Sequence, residues 1–403
     1  MRLTAEEEAM LAGDQGPATR KAMEIVVALA NIYEAEELVP VVSAQVAGVS
    51  YGNLGDAGLE FLQEWADQGA RVKVPTTLNP AGMDLKAWRE LGIPEEYAAR
   101  QSEIIEAYRA MGIAPSCSCT PYLVGNSPGL GQHVAWSESS AVSYANSVLG
   151  ARTNREGGPS ALAAAISGRT ANYGLHLDEN RRARHLVEVN CPVESVADFG
   201  ALGYMVGQKV GDAVTYFHLN SPDKPGLEQL KVLGAAMAAS GAVALYHVEG
   251  ATAEARIETM LADDPVTITI ERLDEGYEAL DGTAQDIDLV WIGCPHASLM
   301  EIEEVTALLE GREVLAQLWV TTAREVLNTA RASGLVDKIE ACGGRVVADA
   351  CLIGAPIHEM GFGSVATNSG KGAFYLSSHL GVQVRFGSLH RCVEAAVTGK
   401  WLP

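Results

Sequence analysis

Short Val/Ile-rich runs alternate with helical patterns along most of this chain, and that alternation restricts it to an α/β fold with largely parallel sheets. From residue 288 to 348 the order is regular: a strand, a helix over 298–309, a strand over 313–320, a helix over 322–333 and a strand over 345–348. The opening reads similarly. Thr4-Ala5-Glu6-Glu7 predicts a capped helix start, a second amphipathic helix runs over 18–33, and 38–46 reads as one buried strand. A helix over 55–68, a strand over 71–76 and a helix over 95–111 follow. Between 137 and 184 small and polar residues dominate, and alanine-rich 161–167 suits a helix packed closely on a neighbour. Alternation resumes at 213–217 and 242–247, and 382–386 with a terminal helix from about 389 completes it. A chain of 403 residues is long enough for more than one lobe. We expect 1–210 and 211–403.

Three cysteines each follow an apolar, strand-like run: Cys119 after 113–118, Cys294 after 288–293 and Cys351 after 345–350. Open α/β sheets place their ligand crevice at strand C-termini. Thiolates drawn there from distant parts of a chain suit a metal or an iron–sulfur cluster. With three such thiols, one iron of a cluster lacks a protein ligand and stays open as a Lewis acid. Against this, an isolated cysteine is ordinarily a small buried hydrophobe. Cys191, Cys342 and Cys392 get that reading. Cys117 and Cys119 are two apart, so on a strand both face one side, and Cys117 is the first alternative ligand. Seven cysteines in a chain without a signal-like start make a disulfide framework improbable.

The acidic N-terminus carries no apolar signal core, and a cytoplasmic protein is expected. A net charge of −22 disfavours nucleic acid and anionic membranes as partners. A small anionic substrate then needs locally placed cations or backbone N–H groups. Candidates are the loops Gly48-Val49-Ser50, Asn79-Pro80 and Asn368-Ser369-Gly370-Lys371-Gly372, each read as following a strand and preceding a helix. Lys371 adds a full charge, although this stretch lacks the spacing of a Walker loop. Arg152 and Arg155 are further anion ligands by type. In Ser137-Glu138-Ser139-Ser140 the plain reading is a helix N-cap; the functional one makes Ser139 and Ser140 substrate ligands or, if activated, bases. His296, two residues after Cys294, is a candidate proton shuttle. A Ser–His–Asp hydrolase is not expected.

Taken together, these segments resemble the large catalytic subunit of the aconitase X family. The matching stretches are Ala44–Tyr51, Val74–Gly82, Cys117–Tyr122, Trp136–Ala141, Gly293–His296, Asn368–Lys371 and, longest, Asn146–Ala165 with its Asn-Ser-Val-Leu-Gly-Ala-Arg-Thr-Asn-Arg-Glu-Gly-Gly-Pro-Ser. The resemblance implies an aconitase-superfamily-like α/β fold and a hydro-lyase holding an iron–sulfur cluster, [4Fe–4S] above [2Fe–2S], through Cys119, Cys294 and Cys351. It implies substrate contacts at Gly48, Val49, Ser50, Asn79, Pro80, Ser139, Ser140 and Lys371. It implies a separate small swivelling-domain subunit, making a heterodimer or higher assembly. The Thr-Asn-Arg-Glu-Gly-Gly-Pro-Ser form of the long motif resembles the archaeal branch. There the reaction takes (R)-5-phosphomevalonate to trans-anhydromevalonate 5-phosphate in a modified mevalonate route to isoprenoids. The alternative within the family is cis-3-hydroxy-L-proline dehydration; outside it, a non-catalytic iron–sulfur sensor or carrier, against which the anion-binding loops argue.

Overall fold

The computed structural model describes residues 1–221 and 223–402. Its strands form three parallel sheets and one antiparallel pair. The N-terminal region holds a small parallel sheet in which Ala44–Val46 lies between Thr76–Leu78 and Ala135–Trp136. Leu38–Pro40 pairs antiparallel with Arg169–Ala171. The middle region has four parallel strands in the order Tyr246–Val248, Thr215–Leu219, Ala183–Val189, Leu261–Ile270. The C-terminal region has five, in the order Arg345–Ala348, Gln317–Thr322, Leu289–Ala297, Ser364–Thr367, Gln383–Phe386. Helices cover these sheets, so the expected α/β fold with largely parallel sheets is the one observed. No helix among the described residues is long and apolar enough to cross a membrane.

Four strands of the five-stranded sheet follow the sequence pattern, with Gln317–Thr322 later than the expected 313–320, whereas Ser364–Thr367 and the helix Leu335–Ala341 have no counterpart in it. Leu289–Ala297 is buried along its whole length, as a central parallel strand covered on both faces must be. Pattern reading is less accurate in the N-terminal region. The single strand expected over 38–46 is two strands in different sheets, with Val41, Val42 and Ser43 between them. The strand expected over 71–76 lies later, at Thr76–Leu78. Val72 and Val74 instead pack as loop residues against alanines of the Gly158–Ser167 helix and their neighbours. The run before Cys119 is not a strand: residues 112–118 are loop, and Cys117 adopts a left-handed φ of 40°. Cys117 therefore turns into the N-terminal apolar core, and Cys119 does not share its surroundings. Asn79-Pro80 precedes a long loop, and the next α-helix begins at Glu95. The boundary expected between 210 and 211 falls inside the middle sheet, between the hydrogen-bonded strands Ala183–Val189 and Thr215–Leu219.

Small residues set the spacing in the middle region. The helices Val196–Val210 and Leu227–Ser240 touch closely because Gly203 and Gly207 face the second helix; a Cβ on Gly203 would lie 2.6 Å from the Leu233 carbonyl oxygen. The N-terminal and C-terminal regions are joined by backbone and by charge. Ala81 N–H donates to Asp349 O (2.8 Å), and Cys351 N–H donates to Ala81 O (3.0 Å). Beneath this bridge Arg324 pairs with Asp84 (2.5 Å) and with Asp349, while Asp84 also accepts from Ala348 N–H (3.0 Å). Both carboxylates are buried. Removing the cation from such a site strands two charges in a poorly solvated space, a loss of about 3–5 kcal/mol. Arg324→Leu is therefore expected to lower the thermal midpoint sharply, whereas Arg182→Leu, which breaks an exposed pair with Glu258, leaves it within a degree or two; thermal melts of the two variants check this.

Candidate functional site

The C-terminal ends of the central strands of the five-stranded sheet meet the N-terminal region at a cavity of about 160 Å3. Each side chain reaches it for a local reason. Leu289–Ala297 carries Trp291, Gly293, Cys294 and His296 to its end. Gly293 has φ 97°, and a Cβ there would lie 2.1 Å from the Thr321 carbonyl oxygen. Only glycine lets this strand turn against its neighbour just before Cys294. Cys351 follows the strand Arg345–Ala348 and the bridge to Ala81. Cys119 arrives on the loop before the short 3-10 turn Pro121–Leu123. Lys371 lies in the first turn of the helix Gly370–Leu380, whose N-terminus is capped by Ser369 (Gly372 N–H to Ser369 Oγ, 2.9 Å).

All three expected cysteines line this one cavity, and all seven cysteines of the chain are free. Cys191, Cys342 and Cys392 lie elsewhere: Cys342 caps a helix end and Cys392 is buried within the terminal helix. Among the described residues no group of three metal-ligating side chains is close enough to hold a single metal ion. The three thiols instead border a shared space. Burial pushes all three thiol pKa values up, that of Cys294 to about 12, while the nearby Lys371 charge works the other way. The Cys119 sulfur also accepts from His296 N–H (3.1 Å). Desolvated thiols gathered beside a buried cation suit thiolates bound to a cationic group, and a hydrogen bond to sulfur, as at Cys119, is one of the means by which proteins adjust iron–sulfur clusters. The residues present fit such a group.

The strongest charge interaction in the cavity is between Lys371 Nζ and Glu138. Glu138 is the N-cap of the short helix Ser139–Tyr144, accepting from Ser140 N–H. Its carboxylate also accepts from Asn79 Nδ2 (2.9 Å) and Ser140 Oγ (3.1 Å). Burial opposes ionisation, but Lys371 and these donors outweigh it and hold the Glu138 pKa down to about 2. Lys371 is likewise opposed by burial and held protonated by Glu138. The plain N-cap reading of Ser-Glu-Ser-Ser is thus correct, and the same carboxylate also orders the cavity. Sequence reading passed over Glu138 as a site residue, although its place between the serines was the available signal.

Of the other expected site residues, Ser50, Asn79, Pro80 and Ser139 line the cavity. Gly48 and Val49 stand one step behind in the loop that delivers Ser50. Ser140 sits behind Ser139 and bonds Lys371 (3.2 Å) and Glu138. Gly48-Val49-Ser50-Tyr51-Gly52 does match the G-x-S-x-G spacing of a nucleophile elbow. Yet Ser50 Oγ donates to Gly354 O (2.6 Å), caps Gly52 N–H and contacts the Tyr97 hydroxyl, with no imidazole among these partners. That is a structural serine rather than a hydrolase nucleophile. Arg152 is committed to Asp178 and to His176 O (2.9 Å), away from the cavity, whereas Arg155 lines it.

His296 lines the cavity with both ring nitrogens engaged. Nε2 lies 2.9 Å from Ala350 O, which only accepts, so Nε2 carries the proton and Nδ1 accepts from Ser118 Oγ at 3.2 Å. Burial lowers its pKa to about 4, so the ring is neutral at pH 7. Without a free lone pair it is arranged to hold the Cys119, Cys294 and Cys351 segments together and is not arranged as a proton shuttle.

Three domain models of one family cover the chain: the aconitase X first domain matches residues 1–179, the second 183–278 and the third 287–398. The chain belongs to the aconitase X family. Among its relatives, the phosphomevalonate dehydratase large subunit of Methanothermobacter thermautotrophicus is 51 % identical over 94 % of this chain and 95 % of its own. That of Methanocaldococcus jannaschii is 48 % identical over 98 % and 100 %. A cis-3-hydroxy-L-proline dehydratase of Pseudomonas aeruginosa is 38 % identical over 99 % of this chain but only 70 % of its own length. The crystal structure of Thermococcus kodakaraensis aconitase X in its holo form superposes with a TM-score of 0.92 at 50 % identity, covering 98 % of this chain and all of that one. The middle region, which contributes no residue to the cavity, corresponds to the second of these three domains.

The Lys371–Glu138 pair makes a measurable demand on stability. Lys371→Met leaves a buried carboxylate without its cation and is expected to cost about 3–5 kcal/mol in urea denaturation, most of which returns in Lys371→Met/Glu138→Gln. Because the folded-state pKa of Glu138 lies below its ordinary value of 4.5, its ionisation contributes stability above the unfolded pKa and loses it as pH falls toward about 2. Glu138→Gln should flatten that acid limb in pH-dependent melts.

Proposed function

We propose that this chain is the large subunit of a hydro-lyase that dehydrates (R)-5-phosphomevalonate to trans-anhydromevalonate 5-phosphate in a mevalonate route to isoprenoids, with Cys119, Cys294 and Cys351 holding an iron–sulfur cluster. The observation that carries this reading is a cavity that gathers three thiols and a buried Lys–Glu pair, in a chain about half identical over its whole length to relatives of that name. The hydroxyproline dehydratases are more distant, at 38 % and 32 % identity, and cis-3-hydroxy-L-proline is the second substrate tested. A sensor or carrier has no use for the polar lining of Asn79, Ser139 and Lys371.

A 3-hydroxy acid resists elimination because its C2–H is weakly acidic and hydroxide is a poor leaving group. A cluster with an iron free of protein thiolate supplies a Lewis acid for the departing hydroxyl. The chain's own contribution is orientation and charge. Lys371, kept protonated at the cavity wall, stabilises negative charge as it develops on the substrate carboxylate. Asn79, already ordered by Glu138, presents its amide toward the same space. Ser139 faces the cavity and its hydroxyl donates to Glu138 Oε1 (3.4 Å), which orients it at the cavity wall as a substrate ligand. The substrate-facing loop Gly48–Ser50 stands at the N-terminus of the helix Tyr51–Asp67 and offers backbone N–H groups to an anionic end.

The relatives' name, large subunit, points to a small subunit as partner, and we propose that it closes the cavity from the solvent side, excluding water and strengthening the charge interactions within. Anaerobically purified chain, co-expressed with that subunit, should show broad visible absorption. Cys119→Ser, Cys294→Ser and Cys351→Ser should each abolish it, while Cys191→Ser and Cys392→Ser should retain it. Retention of full absorption by any of the first three removes that residue from the ligand set. In steady-state assays the complex should turn over 5-phosphomevalonate, and Lys371→Ala should lower kcat/KM by about 2–5 kcal/mol equivalent. Turnover of cis-3-hydroxy-L-proline alone would overturn the substrate assignment.

A further inference from the structure

We infer that Arg155 is the residue that takes the phosphate of the substrate and so makes this cavity specific for a phosphorylated hydroxy acid. This rests on the functional reading above. Within the cavity the interior charges are already matched, Lys371 by Glu138. Arg155 lines the same cavity but is exposed, at its solvent rim. Among the described residues its guanidinium has no carboxylate within ion-pair distance, in contrast to Arg152, held by Asp178. Its backbone is nonetheless fixed: Arg155 forms a parallel bridge with Trp136, and Glu156 N–H donates to Trp136 O at 3.0 Å. The following Gly158 approaches so closely that a Cβ there would lie 2.7 Å from Ala47 O, which sets this segment against the Gly48–Ser50 loop. A fixed backbone thus presents an unpaired guanidinium at the cavity rim, where an anion can take it.

The chemistry of the substrate fits this division. Its hydroxyl and carboxylate belong at the buried thiol end. Its phosphate, four bonds further along the chain and strongly hydrated, belongs at the rim, where it keeps part of its water. A planar guanidinium takes a phosphate through two parallel hydrogen bonds, and an ammonium does not. The need is sharpened by the chain's net charge of −22, which repels a trianionic ligand everywhere except beside a local cation.

The test uses the complex of this chain with its small subunit, with Arg155→Met, Arg155→Lys and, as a control for bulk charge, Arg256→Met, an exposed arginine remote from the cavity. Arg155→Met should raise KM for 5-phosphomevalonate on the order of 10–100-fold with little change in kcat, the loss of a charged hydrogen-bonded contact. Arg155→Lys should recover part of it, and Arg256→Met should change nothing. Mevalonate, which lacks the phosphate, should inhibit wild type and Arg155→Met with the same Ki. Unchanged KM in Arg155→Met, or equal weakening of mevalonate, overturns the proposal while leaving the proposed reaction intact. If wild type fails to turn over 5-phosphomevalonate, the functional reading fails instead, and Arg155 is judged by calorimetry with butyl phosphate against butyrate. Selective loss of butyl phosphate binding in Arg155→Met supports the phosphate site, and equal binding by wild type and variant overturns it.

Discussion

The ion pair between Lys371 and Glu138 is the constraint around which the rest of the cavity is arranged. It joins the first turn of one helix to the N-cap of another, 233 residues apart in the chain. Neither charge is tolerable alone at that depth, so the N-terminal and C-terminal regions must meet in one register for either to be stable. Everything else at the site follows from that register. Asn79 is oriented by the same carboxylate, Ser140 bridges both partners, and the loop carrying Cys119 is drawn beside His296. The price in desolvation is offset by the number of donors the carboxylate receives.

A second ionic contact supports the first from below. Arg324, Asp84 and Asp349 clamp the segment leading into Cys351 onto the loop that follows Asn79-Pro80. Asp349 is held at a φ of 64°, a left-handed geometry that an aspartate adopts more readily than most residues. The turn it makes is what brings Cys351 out of its strand direction and toward the cavity. His296 completes the framework by tying Ser118, Ala350 and the Cys119 sulfur into one hydrogen-bonded unit. The three thiols are thus placed at the cavity wall by a polar shell of hydrogen bonds and ion pairs.

Parallel sheets with long βα crossovers were legible in the chain because a fully buried strand must be apolar along its length, as at Leu289–Ala297, and its flanking helices must be amphipathic. The cavity-lining role of Cys294 and Cys351 was legible from the apolar runs before them, the first within the later half of the buried strand Leu289–Ala297 and the second just past Arg345–Ala348. Cys119 lines the cavity too, but the run before it is a loop and not a strand, and its position depends on contacts from the far end of the chain. In the N-terminal region the strands are two or three residues long, too short for periodicity to distinguish them from buried loops. Val41 to Ser43 and Val72 to Val74 therefore read as strand although hydrogen bonding assigns them elsewhere.

By itself, then, the sequence determined the α/β class, two of the cysteines that line the cavity at strand ends, and a set of motifs specific enough to indicate the family. Tertiary structure alone decided which of two neighbouring arginines faces the cavity, that Ser50 is a structural cap despite its elbow-like spacing, that His296 has no nitrogen free, and that Glu138 rather than substrate is the resting partner of Lys371. The physical reason is the same in each case. A side chain's chemistry depends on which of its donors and acceptors are already satisfied, and those partners are supplied by residues tens to hundreds of positions away, whose proximity is set by packing and not by any local pattern.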